Sequence, residues 1–186
     1  MRQATSADAG EWLLSAPAAW RDLVRYGPPG FEAYVRIAFT AQPDDPEVDG
    51  EHLVMRRVLE VLAVHTATPS AGYAAIWEGW TAWTPAPVAP RLEIPHRPML
   101  VFTGPVSVLR DAPALAWFGT ARGHFQEPHL VWPEDRAWCL ACEADEEIEF
   151  TVGCSAAVSE ALFDALPGAV RQVGYGDPAP LHRDPA

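Results

Sequence analysis

The chain has 186 residues, 49% of them apolar, which suits one globular domain with a core of its own. It carries a net charge of −12 and no lysine; all thirteen basic residues are arginine. Without lysine there is no Walker A phosphate grip, no lysyl Schiff base and no internal pyridoxal-phosphate aldimine. The acidic balance works against nucleic acid and anionic membranes, which are bound through Arg and Lys.

The first residues, "MRQATSADAG", read as a loose start. The spacing of Trp20, Leu23 and Val24 predicts a helix over 16–26, with Pro17 in its first turn and "GPPG" at 27–30 as its stop. "FEAYVRIAF" (31–39) alternates and predicts a strand with one buried face, placing Glu32, Tyr34 and Arg36 on the other. An acidic loop covers 41–50. "EHLVMRRVLEVLAVHT" (51–66) has the clearest helical period, with Leu53, Val54, Val58, Leu59, Val61 and Leu62 on its apolar face. His65 falls at its end, where the helix dipole favours a cationic cap.

"GYAAIWEGW" (72–80) predicts a second strand, with a bulge at Gly79. Five prolines in 84–98 predict a long extended surface loop, a kind of segment that is often functional. "MLVFTG" (99–104) is a buried strand, and a short helix opens at Pro105. "HLVW", "RAWCLACE" and "EIEFTVG" are three successive short strands. A last helix spans 155–166, "GAVRQV" returns to the sheet edge, and 176–186 form a Pro-rich, flexible tail beyond a single domain over 1–175. The fold class expected is α+β, with a mainly antiparallel sheet of about six strands flanked by about four helices.

Cys139-Leu-Ala-Cys142 has the spacing of a zinc or redox motif. On a strand, however, Trp138, Leu140 and Cys142 point one way and Ala137, Cys139 and Ala141 the other. Two thiols on opposite faces cannot grip one ion, and strands on both sides supply no helix N-terminus to activate a thiolate. Structural cysteines are therefore expected, and no metal or cofactor. Cys154 with His124 or His129 gives no ligand spacing. No nucleophile signature surrounds any cysteine, and there is no Gly-x-Ser-x-Gly elbow.

Charge is concentrated. Residues 41–50 and 131–150 hold −4 and −6 of the −12. Glu143, Asp145, Glu146, Glu147 and Glu149, with Glu134, Asp135 and Arg136 nearby, form an acidic hairpin. It suits docking of an Arg-rich surface, a hard cation, or paired carboxylates for acid–base work. Among the eight tryptophans, Trp80 and Trp83 precede the Pro-rich loop and are the candidates for an aromatic pocket that takes a small ligand.

"HTATP" (65–69), "WEGW" (77–80), "GP" (104–105) and "PHLVWPEDRAWCLACEAD" (128–145) resemble a group of actinobacterial proteins. Those proteins share a His-Thr-x-Thr-Pro stretch, a Trp-Glu/Asp-Gly segment and a Trp-Pro-x-Asp-Arg-Ala-Trp-Cys block followed by an acidic pair. The resemblance is scattered over about 20–173. The group carries no assigned activity, so it implies a source class and no mechanism. Where the group has a Gly-Gly-Ser turn, this chain has Val152-Gly153-Cys154-Ser155.

With no signal peptide, no membrane-length apolar run and an odd number of cysteines, a cytoplasmic protein is expected. The expected function is a binding protein that docks a basic partner in the manner of an immunity or antitoxin factor. Its working surface would be the hairpin 143–149 and the loop 84–98. The alternative is a metal-dependent or carboxylate-based hydrolase built on Glu143, Asp145 and a nearby His or Arg136.

Overall fold

A computed structural model describes residues 2–15, 17–39, 50–79, 90–112, 127–146 and 148–179. Nine strands form one sheet: β1 (Arg2–Gln3), β2 (Ala33–Ala38), β3 (Gly72–Trp77), β4 (Arg91–Ile94), β5 (Arg97–Gly104), β6 (Leu130–Pro133), β7 (Cys139–Ala141), β8 (Glu149–Cys154) and β9 (Val170–Val173). Every pairing is antiparallel. The order is β5-β3-β6-β7-β8-β2-β9, with β1 and β4 both paired to the outer edge of β5. The helices are α1 (Glu11–Ser15), α2 (Trp20–Tyr26), α3 (Gly50–Ala63) and α4 (Ala156–Ala165), with 3-10 turns at Asp8–Gly10 and Val106–Asp111. No helix among the described residues is long and apolar enough to cross a membrane.

The α+β class and antiparallel sheet match expectation, but nine strands replace the expected six. Two of the additional strands lie in segments read as irregular. β1 lies in the loose start, and β4 in the Pro-rich loop. The prolines there punctuate a hairpin instead of preventing one. Pro95 and His96 make its two-residue turn, with His96 at φ 64, and Pro98 stands opposite Glu93. With Ile94 and Arg97 closing the turn, the Glu93–Pro98 pair exchanges no ladder bonds, so β4 needs no N–H from Pro98. The first helix also differs. Residues 17–19 are not helical, α2 starts at Trp20, and α1 is a separate helix upstream.

Both sheet faces are covered. On one, α3 and α4 bring Val54, Met55, Val58, Leu59, Leu62, Val158 and Leu162 against Ile37, Ile76, Phe102, Leu140 and Val152. On the other, Leu13 of α1 with Leu23 and Val24 of α2 meet Met99, Val101, Leu130 and Trp132. A sheet covered twice explains why β6 and β8 are buried at every position. It also corrects β2, which buries Tyr34 and Arg36 as fully as Val35 and Ile37. Cys139 and Ala141 join the second core, while Trp138, Leu140 and Cys142 join the first. The two thiols are thus sent apart as expected. Ala137 precedes the strand and packs on the same core as Trp138, not opposite it.

Gly153 of β8 shows how tightly the second layer is filled. A Cβ there would lie 2.5 Å from Phe31 Cδ2 and 2.9 Å from Tyr34 Cε1. The Tyr34 hydroxyl donates to the Pro28 carbonyl at 2.8 Å, so its ring is pinned. Gly153→Ala is expected to lower stability by roughly 1–3 kcal/mol through overpacking. Urea unfolding followed by tryptophan fluorescence measures this.

Candidate functional site

The expected acidic cluster is two separate groups. Glu134, Asp135 and Arg136 occupy the β6–β7 turn, whereas 143–149 connect β7 to β8 at the opposite end of β7. Six residues of near-extended chain, at about 3.3 Å each, lie between them.

Most of the second group is turned inward. Glu143, Glu146 and Glu149 are all buried. Arg97 Nε donates to Glu143 Oε1 at 2.7 Å and its Nη2 donates to Asp145 Oδ2 at 3.1 Å. Its guanidinium stacks 4.5 Å from the Trp77 ring centroid. Glu146 accepts from Arg36 and, at 3.0 Å, from Arg25. Glu149 accepts from Arg36 Nε at 2.7 Å and from both Nε and Nη2 of Arg171. Among the described acids of this group only Asp145, its side chain 61% exposed, remains at the surface. Glu147, Trp80 and Trp83 lie outside the described residues.

Arg36 organises this end of the sheet. It is fully buried beneath Tyr26, and its register neighbours are Arg171 on β9 and Thr151 on β8. Burial pulls its pKa down, and Glu149 opposes that pull. Burial likewise disfavours the Glu149 charge, but Arg171 and Arg36 outweigh it and hold the carboxyl below its ordinary value. The strap after β9 closes over the group: Tyr26 donates to the Asp177 carbonyl, and Arg25 donates to that of Ala179 at 3.1 Å. Arg36→Met leaves Glu146 and Glu149 short of a cation in the interior. It is expected to cost about 3–5 kcal/mol, read from the urea midpoint.

Asp135 is also a structural staple. It accepts from Thr66 Oγ1 at 2.8 Å, from the Ala67 N–H at 2.6 Å and from the Ala137 N–H at 3.2 Å. Burial works against its charge, yet these bonds win and lower its pKa. Trp138 Nε1 donates to the Leu62 carbonyl at 3.0 Å, and His129 Nδ1 accepts from the Trp77 N–H at 2.9 Å. The stretches "HTATP", "WEGW" and "PHLVWPEDRAWC" therefore meet in space, and the contacts between them join chain segments. Arg136 is exposed at φ 57, with its guanidinium 5.4 Å from the Trp12 ring centroid.

Burial drives the His129 pKa from 6.5 down to about 4, with Glu143 opposing and Arg97 assisting. The ring is neutral at pH 7 and carries its proton on Nε2, since Nδ1 accepts. The unfolded chain takes up that proton near 6.5 and the folded chain only near 4. The contribution is therefore complete above about 6.5 and is lost as pH falls toward 4. His129→Asn keeps an acceptor for Trp77. It is expected to remove roughly 3 kcal/mol of the wild type's stability loss across that window, checked by urea midpoints over pH.

The cysteines are structural in environment. All three are buried, burial pushes the Cys139 thiol upward, and burial with Glu32 pushes Cys154 up to about 12. Among the described residues, no group of three or more His, Cys, Asp or Glu is placed to hold a metal ion.

Two clefts flank the β4–β5 hairpin. One, of about 430 Å³, lies against α2 and is lined by Trp20, Arg21, Asp22, Arg25, Arg97, Glu143 and Asp145. His96 and Arg97 lie against Trp20 there, at 5.1 and 5.6 Å between centres. Its Glu143 and Asp145 carboxylates are taken by Arg97.

The other, a groove of about 460 Å³, runs between β4 and the turn leading into α1. After β1, Ala4 N–H donates to the Val101 carbonyl at 2.8 Å, and Ser6 Oγ then accepts from the Asp8 N–H at 3.0 Å. The chain next crosses Leu92 at Gly10, where a Cβ would come within 3.0 Å of both Leu92 methyls. This crossing brings Asp8 and Glu11 into the lining of the groove that Glu93 also borders, beside Leu14, a leucine 39% exposed. Arg91 is neutralised by Glu78. The carboxylates of Asp8, Glu11 and Glu93 make no hydrogen bond or ion pair among the described residues. Sequence reasoning missed all three, because they sit in the stretches read as a loose start and a Pro-rich loop.

Comparison with family models, with curated proteins and with solved structures finds no match for this chain.

Proposed function

We propose that the protein is a binding factor that docks a basic partner, and that the groove between α1 and β4 is its working surface. One observation carries this reading: three carboxylates from two distant segments border one groove without an arginine partner among the described residues, beside a half-exposed leucine. Glu78, Glu143, Glu146 and Glu149, by contrast, are each answered by arginine. Unanswered charge at a concave surface attracts and orients an oppositely charged partner. The expected surface is thereby revised. The β4 portion of loop 84–98 is kept, and the hairpin 143–149 is replaced by Asp8 and Glu11. A hydrolase built on Glu143 and Asp145 would first have to free Glu143 from Arg97.

The test uses octa-arginine as probe in titration calorimetry at low and high salt. The combined variant Asp8→Asn, Glu11→Gln, Glu93→Gln is expected to weaken binding about tenfold. Exposed pairs are worth roughly 0.2–1 kcal/mol each, and 1.4 kcal/mol is a factor of ten. Glu160→Gln with Asp164→Asn, on α4 across the sheet, is expected to change it less than twofold. Equal losses from the two variants would show that net charge alone, and not the groove, attracts the probe.

A further inference from the structure

The partner of this groove is further defined by the strand that forms its wall, an inference that rests on the docking reading above. Among the described residues β4 pairs only with β5, and no backbone hydrogen bond leaves it on its other side. Its register fixes what that free edge offers. Ile94 and Arg97 flank the two-residue turn and form a hydrogen-bonded pair, as do Leu92 and Met99 two residues on. The intervening positions, Arg91 and Glu93, therefore turn their N–H and C=O groups away from β5 and into the groove. An open strand edge is a template for another strand.

β4 holds no proline between Arg91 and Ile94, and its one basic side chain is tied to Glu78. The strand is four residues long, about 13 Å at 3.3 Å per residue. Glu93 on the strand, with Asp8 and Glu11 in the groove lining, makes the edge acidic, and Leu14 adds an apolar contact. A chain lying along it would use its backbone for affinity and alternate side chains for specificity.

We infer that this groove binds an extended basic peptide segment by strand addition to β4. The N–H and C=O of Arg91 and Glu93 pair with the peptide backbone. Arg or Lys side chains on one face of the added strand meet Glu93, and those on its other face meet Asp8 and Glu11, with an apolar residue against Leu14.

The experiment compares two eight-residue peptides that alternate Arg and Val, one of them N-methylated at every second amide. N-methylation removes strand donors and keeps every charge. The unmodified peptide is expected to bind at least tenfold more tightly to the wild-type protein. Glu93→Gln, which removes a charge and keeps the N–H, is expected to weaken it two- to fivefold. Glu93→Pro, which also removes the outward N–H and spares the β4–β5 ladder, is expected to weaken it at least tenfold. The peptide pair is tested on the unaltered protein, so misfolding of a variant cannot decide the outcome. Equal affinity of the two peptides would overturn strand addition and leave docking by charge standing. Failure of both to bind, with octa-arginine failing too, would remove the docking reading itself.

Discussion

A fully buried guanidinium governs the architecture. Arg36 sits in β2 with strands on both sides and a helix above, where a bare cation is not tolerated. Its environment supplies two carboxylates, the Thr151 hydroxyl, the Glu149 carbonyl and the Tyr26 ring. These come from three parts of the chain: the β7–β8 turn, β8 and α2. Satisfying one charge therefore fixes the turn against the sheet, the α2 end above it and the strap at 174–179 over both. Such a group is weak evidence of net stability, because desolvation offsets much of the attraction. What it sets is geometry, since an unmatched arrangement leaves a charge stranded.

The consequence reaches the surface. An acidic run reads as a solvated hairpin when arginines 22 to 113 residues away in sequence are out of view. Here Arg36, Arg97 and Arg171 draw Glu143, Glu146 and Glu149 into the fold. The region richest in acids along the sequence is thus not richest in available charge. Asp8, Glu11 and Glu93, which have no arginine partner among the described residues, come from stretches with no charge density to mark them.

This separates what could be read in the chain from what could not. α3, α4 and the strands at 72–77, 99–104, 130–133 and 149–154 follow apolar period and length, and the structure places them close to the expected limits. The opposed faces of Cys139 and Cys142 follow from pleating alone. β2 misled because alternation normally marks a solvated face, whereas its Arg36 is covered by Tyr26 of α2 and its Tyr34 by Phe31 and Tyr175. β1 has only two residues and is defined by its partner. β4 was hidden by prolines, which commonly mark loops; at 95 and 98 they sit at the turn and at a position that needs no ladder donor.

The groove joins both kinds of hidden information. Its floor exists because Gly10 lets the chain pass close over Leu92, and its wall because β4 is a strand at all. The first depends on a contact between segments some eighty residues apart, and the second on a hairpin whose prolines disguise it. The same packing that carries Leu13 of α1 and Leu92 into one core leaves Asp8 and Glu11 on the rim, since a short amphipathic segment cannot bury both its faces. The available charge on this side of the protein is thus a by-product of how its smallest helix is anchored, and the free edge of β4 lies beside it because β1 and β4 share one border of β5.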